Sequence, residues 1–183
     1  FLAYLAVSPT LLAREARADG SDGAQLARGK STMIPLLSRE AVRALDADAV
    51  ARLGVPSSLL MENAGRGAFD ALRAMFPERL AHVLIVGGIG QNGGDGWVVA
   101  RQLLLAGVQP RCVLIGPRDK VRGDALLNLV ALEHLRGAVT CIAGPDLSAL
   151  EAPLSGASLI VDGLFGTGLD RPVDGVYAAV IER

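Results

Sequence analysis

Apolar residues recur along this chain with more than one period, and each change of period marks an element. From Ser38 the apolar positions Val42, Leu45, Ala49 and Leu53 fall at helical spacing, with Ser38 placed as a cap, Glu40 in the first turn and Gly54 as the stop. A second helix is predicted from Ser57 or Ser58 through about Met75. Leu59, Leu60, Ala64, Ala68, Ala71, Leu72 and Met75 supply its apolar face, and Pro77 ends it. The pattern then changes to short, largely apolar runs at 83–86, 111–115, 138–142 and 158–161, the first of them fully apolar, which read as strands. Helical stretches at 97–106, closed by Gly107, and at 124–135 separate the first three of them, and another helix is starting where the chain ends at Arg183. Strands alternating with helices predict right-handed crossovers and an α/β fold with a mostly parallel sheet. Residues 1–32 stand apart: 1–18 read as one apolar helix, and 19–23 (DGSDG) as a polar linker or loop.

Composition narrows the class. At 183 residues and 19.0 kDa the chain is long enough to bury one core without metal or disulfide staples. Its 51% hydrophobic content argues against disorder, and 4% aromatic residues leave the core to Leu, Val, Ile and Ala. Eighteen basic against 19 acidic residues show no basic excess for a nucleic-acid backbone, so nucleic acid is not an expected partner. No apolar run approaches the roughly 18 to 20 residues of a membrane-spanning helix, so no membrane partner is expected. Cys112 and Cys141 both sit in strand-like runs and are read as small core hydrophobes, which fits a reducing, cytoplasmic setting. The chain begins with Phe, which reads as a fragment of a longer protein whose targeting signals, if any, lie upstream.

The densest chemistry is the run from Gly87 to Gly96, which places six glycines with Gln91, Asn92 and Asp95 where a strand hands over to a helix. In open α/β sheets that junction holds ligands. Gly88, Gly90 and Gly93 satisfy a dinucleotide fingerprint, but the next strand ends Leu114-Ile115-Gly116-Pro117, without the acidic residue that holds a ribose. No Gly-Lys-Ser or Gly-Lys-Thr follows, which excludes a nucleoside-triphosphate loop. Asp95 inside the run either caps the following helix or binds backbone donors or a cation. Asp162 follows an apolar strand, at an edge where a carboxylate can bind a cation, move a proton or simply cap the Gly163 turn. Beyond it, Gly166, Thr167 and Gly168 offer a second set of amides for phosphate, or a plain surface turn. Two such loops at the ends of parallel strands should converge on one cleft. Lys120 and Arg122 follow the second strand on the ligand side, with phosphate contact or a solvated role both open. His82 and His134 lack neighbours at metal-ligand spacing.

Several separated motifs occur together: Leu37-Ser38-Arg39-Glu40, Leu45-Asp46, Gly54-Val55-Pro56-Ser57, Leu60-Met61-Glu62-Asn63-Ala64-Gly65-Arg66, Asn92-Gly93-Gly94-Asp95-Gly96 and Val161-Asp162-Gly163-Leu164-Phe165-Gly166-Thr167-Gly168. With them, residues 33–183 resemble the YjeF N-terminal domain family, whose characterised members are NAD(P)H-hydrate epimerases. Residues 1–32 do not match and remain a helical extension or linker. The resemblance implies a Rossmann-like three-layer α/β/α fold and an isomerase that interconverts the R and S forms of hydrated NADH or NADPH. It implies dinucleotide contacts from Gln91, Asn92, Gly93, Gly94 and Asp95, and from Gly166, Thr167, Gly168, Leu169, Asp170, Arg171 and Pro172. Asn92 and Asp162 match potassium ligands of the family, Asp162 also matches a catalytic carboxylate, and Lys120 is a second catalytic candidate. The expected partner is an NAD(P)H-hydrate dehydratase, fused or separate, and a homodimer through the N-terminal helices is the expected oligomer. Ile89 replaces the usual Pro and Gln91 the usual Asn, and the family domain continues past the point where this chain ends. The rival reading is a non-catalytic dinucleotide-binding or scaffold module of the same fold.

Overall fold

The computed structural model describes residues 37–183; the helix expected at 1–18 and the linker after it lie outside the described residues. Helix α1 (Arg39–Leu53) begins where Ser38 Oγ accepts from the amide of Ala41 at 3.2 Å and ends at Gly54, whose φ of 65° suits glycine. Helix α2 (Ser57–Met75) is followed by a 3-10 turn (Pro77–His82) and strand β1 (Val83–Gly87). Then come α3 (Gln91–Leu105), β2 (Arg111–Ile115), α4 (Gly123–His134), β3 (Val139–Ile142), α5 (Ser148–Ser155), β4 (Leu159–Gly163) and α6 (Gly175–Ile181).

All pairings are parallel and the strand order is β3-β2-β1-β4. The chain therefore walks outward from β1 to β3 and then returns to the other side of β1, creating the topological switch point at the carboxyl ends of β1 and β4. Burial follows position. Every residue of β1 is buried between its neighbours, whereas the edge strand β4 alternates, leaving Ile160 and Asp162 exposed. On one face Val83, Ile85, Cys112, Leu114, Leu159 and Val161 pack against α2, α3 and α4; on the other Leu84, Val86, Val113 and Ile115 meet α5 and α6. This is a Rossmann-like three-layer α/β/α architecture.

Four local expectations are corrected. The buried face of α2 runs through Met61, Gly65, Phe69 and Leu72, while Leu59 and Met75 are exposed, because Gly65 lets α2 approach Val98 of α3 closely. Helix α5 was missing from the pattern: it is only 8 residues long and contains Pro153. Cys141 is exposed because β3 is an edge strand; Cys112, on the interior β2, is buried, and burial pushes its thiol up to about 12. The largest change is at the glycine-rich run, whose second half is helix and not loop.

Candidate active site

Helix α3 starts at Gln91 with Gly90 as its N-cap, so Gln91, Asn92, Gly93, Gly94, Asp95 and Gly96 form its first turns. Glycine is a poor helix former, and tertiary packing explains its use here. A side chain at Gly94 would meet Met61 Sδ at 2.6 Å and Ala125 Cα at 2.9 Å; one at Gly96 would meet Ile85 at 3.2 Å; one at Gly93 would run into the Gly88 carbonyl. Gly87 carries the Trp97 ring directly on its backbone, and Gly88 abuts the Leu164 carbonyl. These glycines bring helix, strand and loop together rather than opening room for an anion. Gly90 alone of the six has open space around it, at the mouth of the helix N-terminus. There the first-turn amides lack intrahelical partners, an arrangement suited to an anion.

The motif on α2 supports this turn from behind. Met61 lies under Gly94, and Glu62 accepts from Arg101 Nη1 at 2.8 Å and Gln102 Nε2 at 3.0 Å. Arg101 also donates to Asn128 Oδ1 at 2.7 Å, so one guanidinium fastens α2, α3 and α4 together.

The loop after β4 folds against the same helix end. The Gly88 amide donates to the Gly163 carbonyl at 3.0 Å, and Asn92 Nδ2 donates to the Phe165 carbonyl at 3.0 Å. Asp162 Oδ1 accepts from the Leu164 amide at 2.8 Å, the turn-capping bond open to an Asp at this position. From the third side α1 closes in: Arg43 donates to the Thr167 carbonyl at 3.1 Å and Arg39 to the Leu169 carbonyl at 3.3 Å. Tyr177 of α6 donates to the Ile115 carbonyl at 3.0 Å and stacks obliquely on Phe165, ring centres 5.0 Å apart.

These elements enclose a cleft of about 540 Å³. Of the residues expected from sequence, Gln91, Asn92, Asp95, Gly166, Thr167, Gly168, Leu169, Asp170 and Arg171 line it. Gly93 and Gly94 are buried in the packing of α3, Pro172 is exposed just past the lining loop, and Asp162 sits at the end of β4, paired in register with Val86. Lys120 stands on an exposed 3-10 turn (Arg118–Lys120) after β2 and is not part of the lining. Val42, Arg43, Asp46, Ile89, Gly90, Leu164, Phe165 and Tyr177 complete the walls. Sequence reasoning assigned none of them as a ligand contact, although Asp46, Leu164 and Phe165 lay within quoted motifs and Ile89 and Gly90 within the glycine-rich run.

Asp95 is the electrostatic exception. It is 4% exposed, its Oδ1 has no hydrogen-bond partner among the described residues, and burial pushes its carboxyl up to about 7, with the charge of Asp46 adding to the rise. It lies inside α3 and caps nothing. Among the described residues no three His, Cys, Asp or Glu side chains gather as a metal cluster. What the junction offers a cation is hard oxygen: Asn92 Oδ1, left over once Nδ2 is used, and the carboxylate of Asp162. That donor chemistry is of the kind that takes a hard, oxygen-liganded cation. No helix among the described residues is long and apolar enough to cross a membrane.

Fold and cleft together define a Rossmann-like domain whose candidate site lies at the switch point of its sheet. The chain belongs to the family described as YjeF-related protein N-terminus, whose profile matches residues 57–183. It is similar to the NAD(P)H-hydrate epimerase of Rhodopirellula baltica, 36% identical over 149 residues, which cover 81% of this chain and 59% of that protein. It is also similar to the bifunctional NAD(P)H-hydrate repair enzyme Nnr of Moorella thermoacetica, 38% identical over 140 residues, or 75% of this chain and 26% of that one. The crystal structure of yeast ynu0 superposes with a TM-score of 0.69 at 26% identity, covering 81% of this chain and 64% of that chain. The chain thus spans less than two thirds of the length of these relatives.

Proposed function

We propose that this domain belongs to an NAD(P)H-hydrate epimerase, interconverting the R and S forms of hydrated NADH and NADPH. The observation that carries the reading is the joining of the α3 N-terminus to the loop after β4 in one switch-point cleft, fastened by the Asn92 to Phe165 bond. The names of the relatives support the substrate class. The free amides at the start of α3 and the amides of Gly166, Thr167 and Gly168 suit a pyrophosphate, and Arg43 and Arg171 add positive charge at the walls. Phe165 and Tyr177 supply an aromatic wall for a planar ring.

In this reading Asp162 is the catalytic carboxylate and Lys120 a basic group brought in from the turn after β2. Asn92 and Asp162 would hold a potassium ion, which supplies positive charge that offsets repulsion between carboxylate and phosphate. A dehydratase, as a fused domain or separate protein, then restores the S form to the reduced cofactor; the word bifunctional in the name of the Moorella relative supports the pairing.

The test uses the full-length protein with separated hydrate epimers followed by chromatography. Interconversion well above the spontaneous rate is expected, and its absence overturns the reading. A protein that binds ADP-ribose yet leaves the epimers unchanged would be the binding module instead. Asp162→Asn should lower the rate by about 100-fold while the fold is kept, the usual size for loss of a positioned acid or base.

A further inference from the structure

The cleft contains one buried carboxyl for which binding alone gives no account. Asp95 is 4% exposed, lies in the first turns of α3 where that helix opens into the cleft, and leaves Oδ1 without a partner among the described residues. Buried polar atoms are nearly always hydrogen-bonded, so an orphaned one on a residue that lines a ligand site points to a partner that arrives with the ligand. Across the cleft α1 presents a second carboxylate, Asp46. Two like charges on one small cleft favour a proton on whichever is more deeply buried.

We propose that Asp95 is the acid of the site: as a neutral carboxylic acid it gives its proton to the hydroxyl leaving the hydrated nicotinamide ring, and Asp46 keeps that proton in place beforehand. The inference rests on the epimerase reading. The carbon–oxygen bond breaks, the oxygen leaves with the electron pair and the proton of Asp95 as water, and the ring nitrogen's lone pair forms a carbon–nitrogen double bond. Water then adds to the opposite face as Asp162, the carboxylate of the epimerase reading, takes its proton; the nitrogen recovers its pair, and that proton returns through water to the Asp95 carboxylate. Nothing is oxidised or reduced, and water is the only co-reactant.

The surroundings are consistent with this assignment. Facing Asp95 across the cleft are Arg43 and Asp46 of α1, Asp170 and Arg171 of the loop, and Tyr177 of α6. Behind it α2 carries Glu62, already paired with Arg101; α4 carries Asp124 in its first turn; and β4 ends near Asp162. Burial leads the rise of the Asp95 carboxyl to about 7, and Asp46 is the carboxylate that adds to it.

The experiment compares the full-length protein with Asp95→Asn and Asp46→Asn. Asp95→Asn, which keeps the shape and loses the transferable proton, should lose about 100-fold in epimerisation rate while binding ADP-ribose within about threefold of the parent. The parent rate should fall as pH rises through about 7, and Asp46→Asn should move that fall to lower pH. Carbon-13 NMR titration, with Asp95→Asn assigning the signal, should give a carboxyl midpoint near neutrality. An Asp95→Asn variant with more than a third of the parent rate, an unmoved pH profile, or a midpoint near 4 overturns the proposal. If the parent does not interconvert the epimers, the epimerase reading fails separately, and the proton-donor role fails with it. If Asp95→Asn does not fold, the pH profile of the Asp46→Asn variant decides.

Discussion

The carboxyl of Asp95 makes the fold respond to pH in the direction opposite to a paired surface carboxylate. With its pKa raised from 3.8 to about 7, it stays protonated in the folded state where the unfolded chain has ionised. Stability from this group is therefore intact below about pH 4, declines as pH rises, and is fully lost above about pH 7. At about 1.4 kcal/mol for each pH unit over the rise from 3.8 to about 7, the loss is bounded by about 4.5 kcal/mol. Asp95→Asn should accordingly melt higher than the parent at pH 8, on the order of 5 °C by scanning calorimetry, with the difference shrinking toward zero at pH 4. A variant that melts lower at pH 8 would contradict the burial argument. Sequence showed Asp95 in a motif but not its burial, because the α2 residue packed on its backbone, Gly65, and the carboxylate that faces it, Asp46 of α1, lie 30 and 49 positions earlier in the numbering.

Helix boundaries set by local chemistry were readable, and those set by distant packing were not. Ser38 and Gly54 delimit α1 through contacts within a turn, so its ends were visible in the pattern. The start of α3 was hidden by its glycines, whose helical cost of about 1 kcal/mol each is overridden by close approach to Met61, Ala125 and Ile85. Two substitutions separate packing from space. Gly94→Ala should destabilise by about 1 to 3 kcal/mol in urea melts, since its new methyl meets Met61 and the α4 backbone. Gly90→Ala, with open space around it, should cost only the N-cap preference of about 0.5 to 1 kcal/mol, less than Gly94→Ala. Helix α1 itself buries no residue and is fastened to the second loop by Arg39 and Arg43. Replacing both arginines by Ala should speed amide hydrogen exchange across 39–53 while leaving the exchange of β1 unchanged.

At the scale of the molecule, the sheet order is what turns two separate sequence motifs into one cleft. Parallel alternation of apolar runs made the layers legible, and the glycine-rich segments marked the carboxyl ends of β1 and β4. The third wall was not legible: Arg43 meets Thr167 across 124 positions, and neither residue carries a local sign of the other. Because α1, α3 and the β4 loop all line this cleft, a dinucleotide bound there should stabilise them together. ADP-ribose at 100 times its Kd should raise unfolding free energy by about 2.7 kcal/mol, and Asn92→Ala, which cuts the tie to Phe165, should weaken that affinity. The junction also has an optical consequence. Trp97 is the chain's single tryptophan, fully buried, with its ring on Gly87 and its indole nitrogen unpartnered among the described residues. The molecule thus carries its own fluorophore in a dry setting one helical turn from the cleft, and blue-shifted emission that moves to the red on unfolding will report the β1 to α3 elbow without a label.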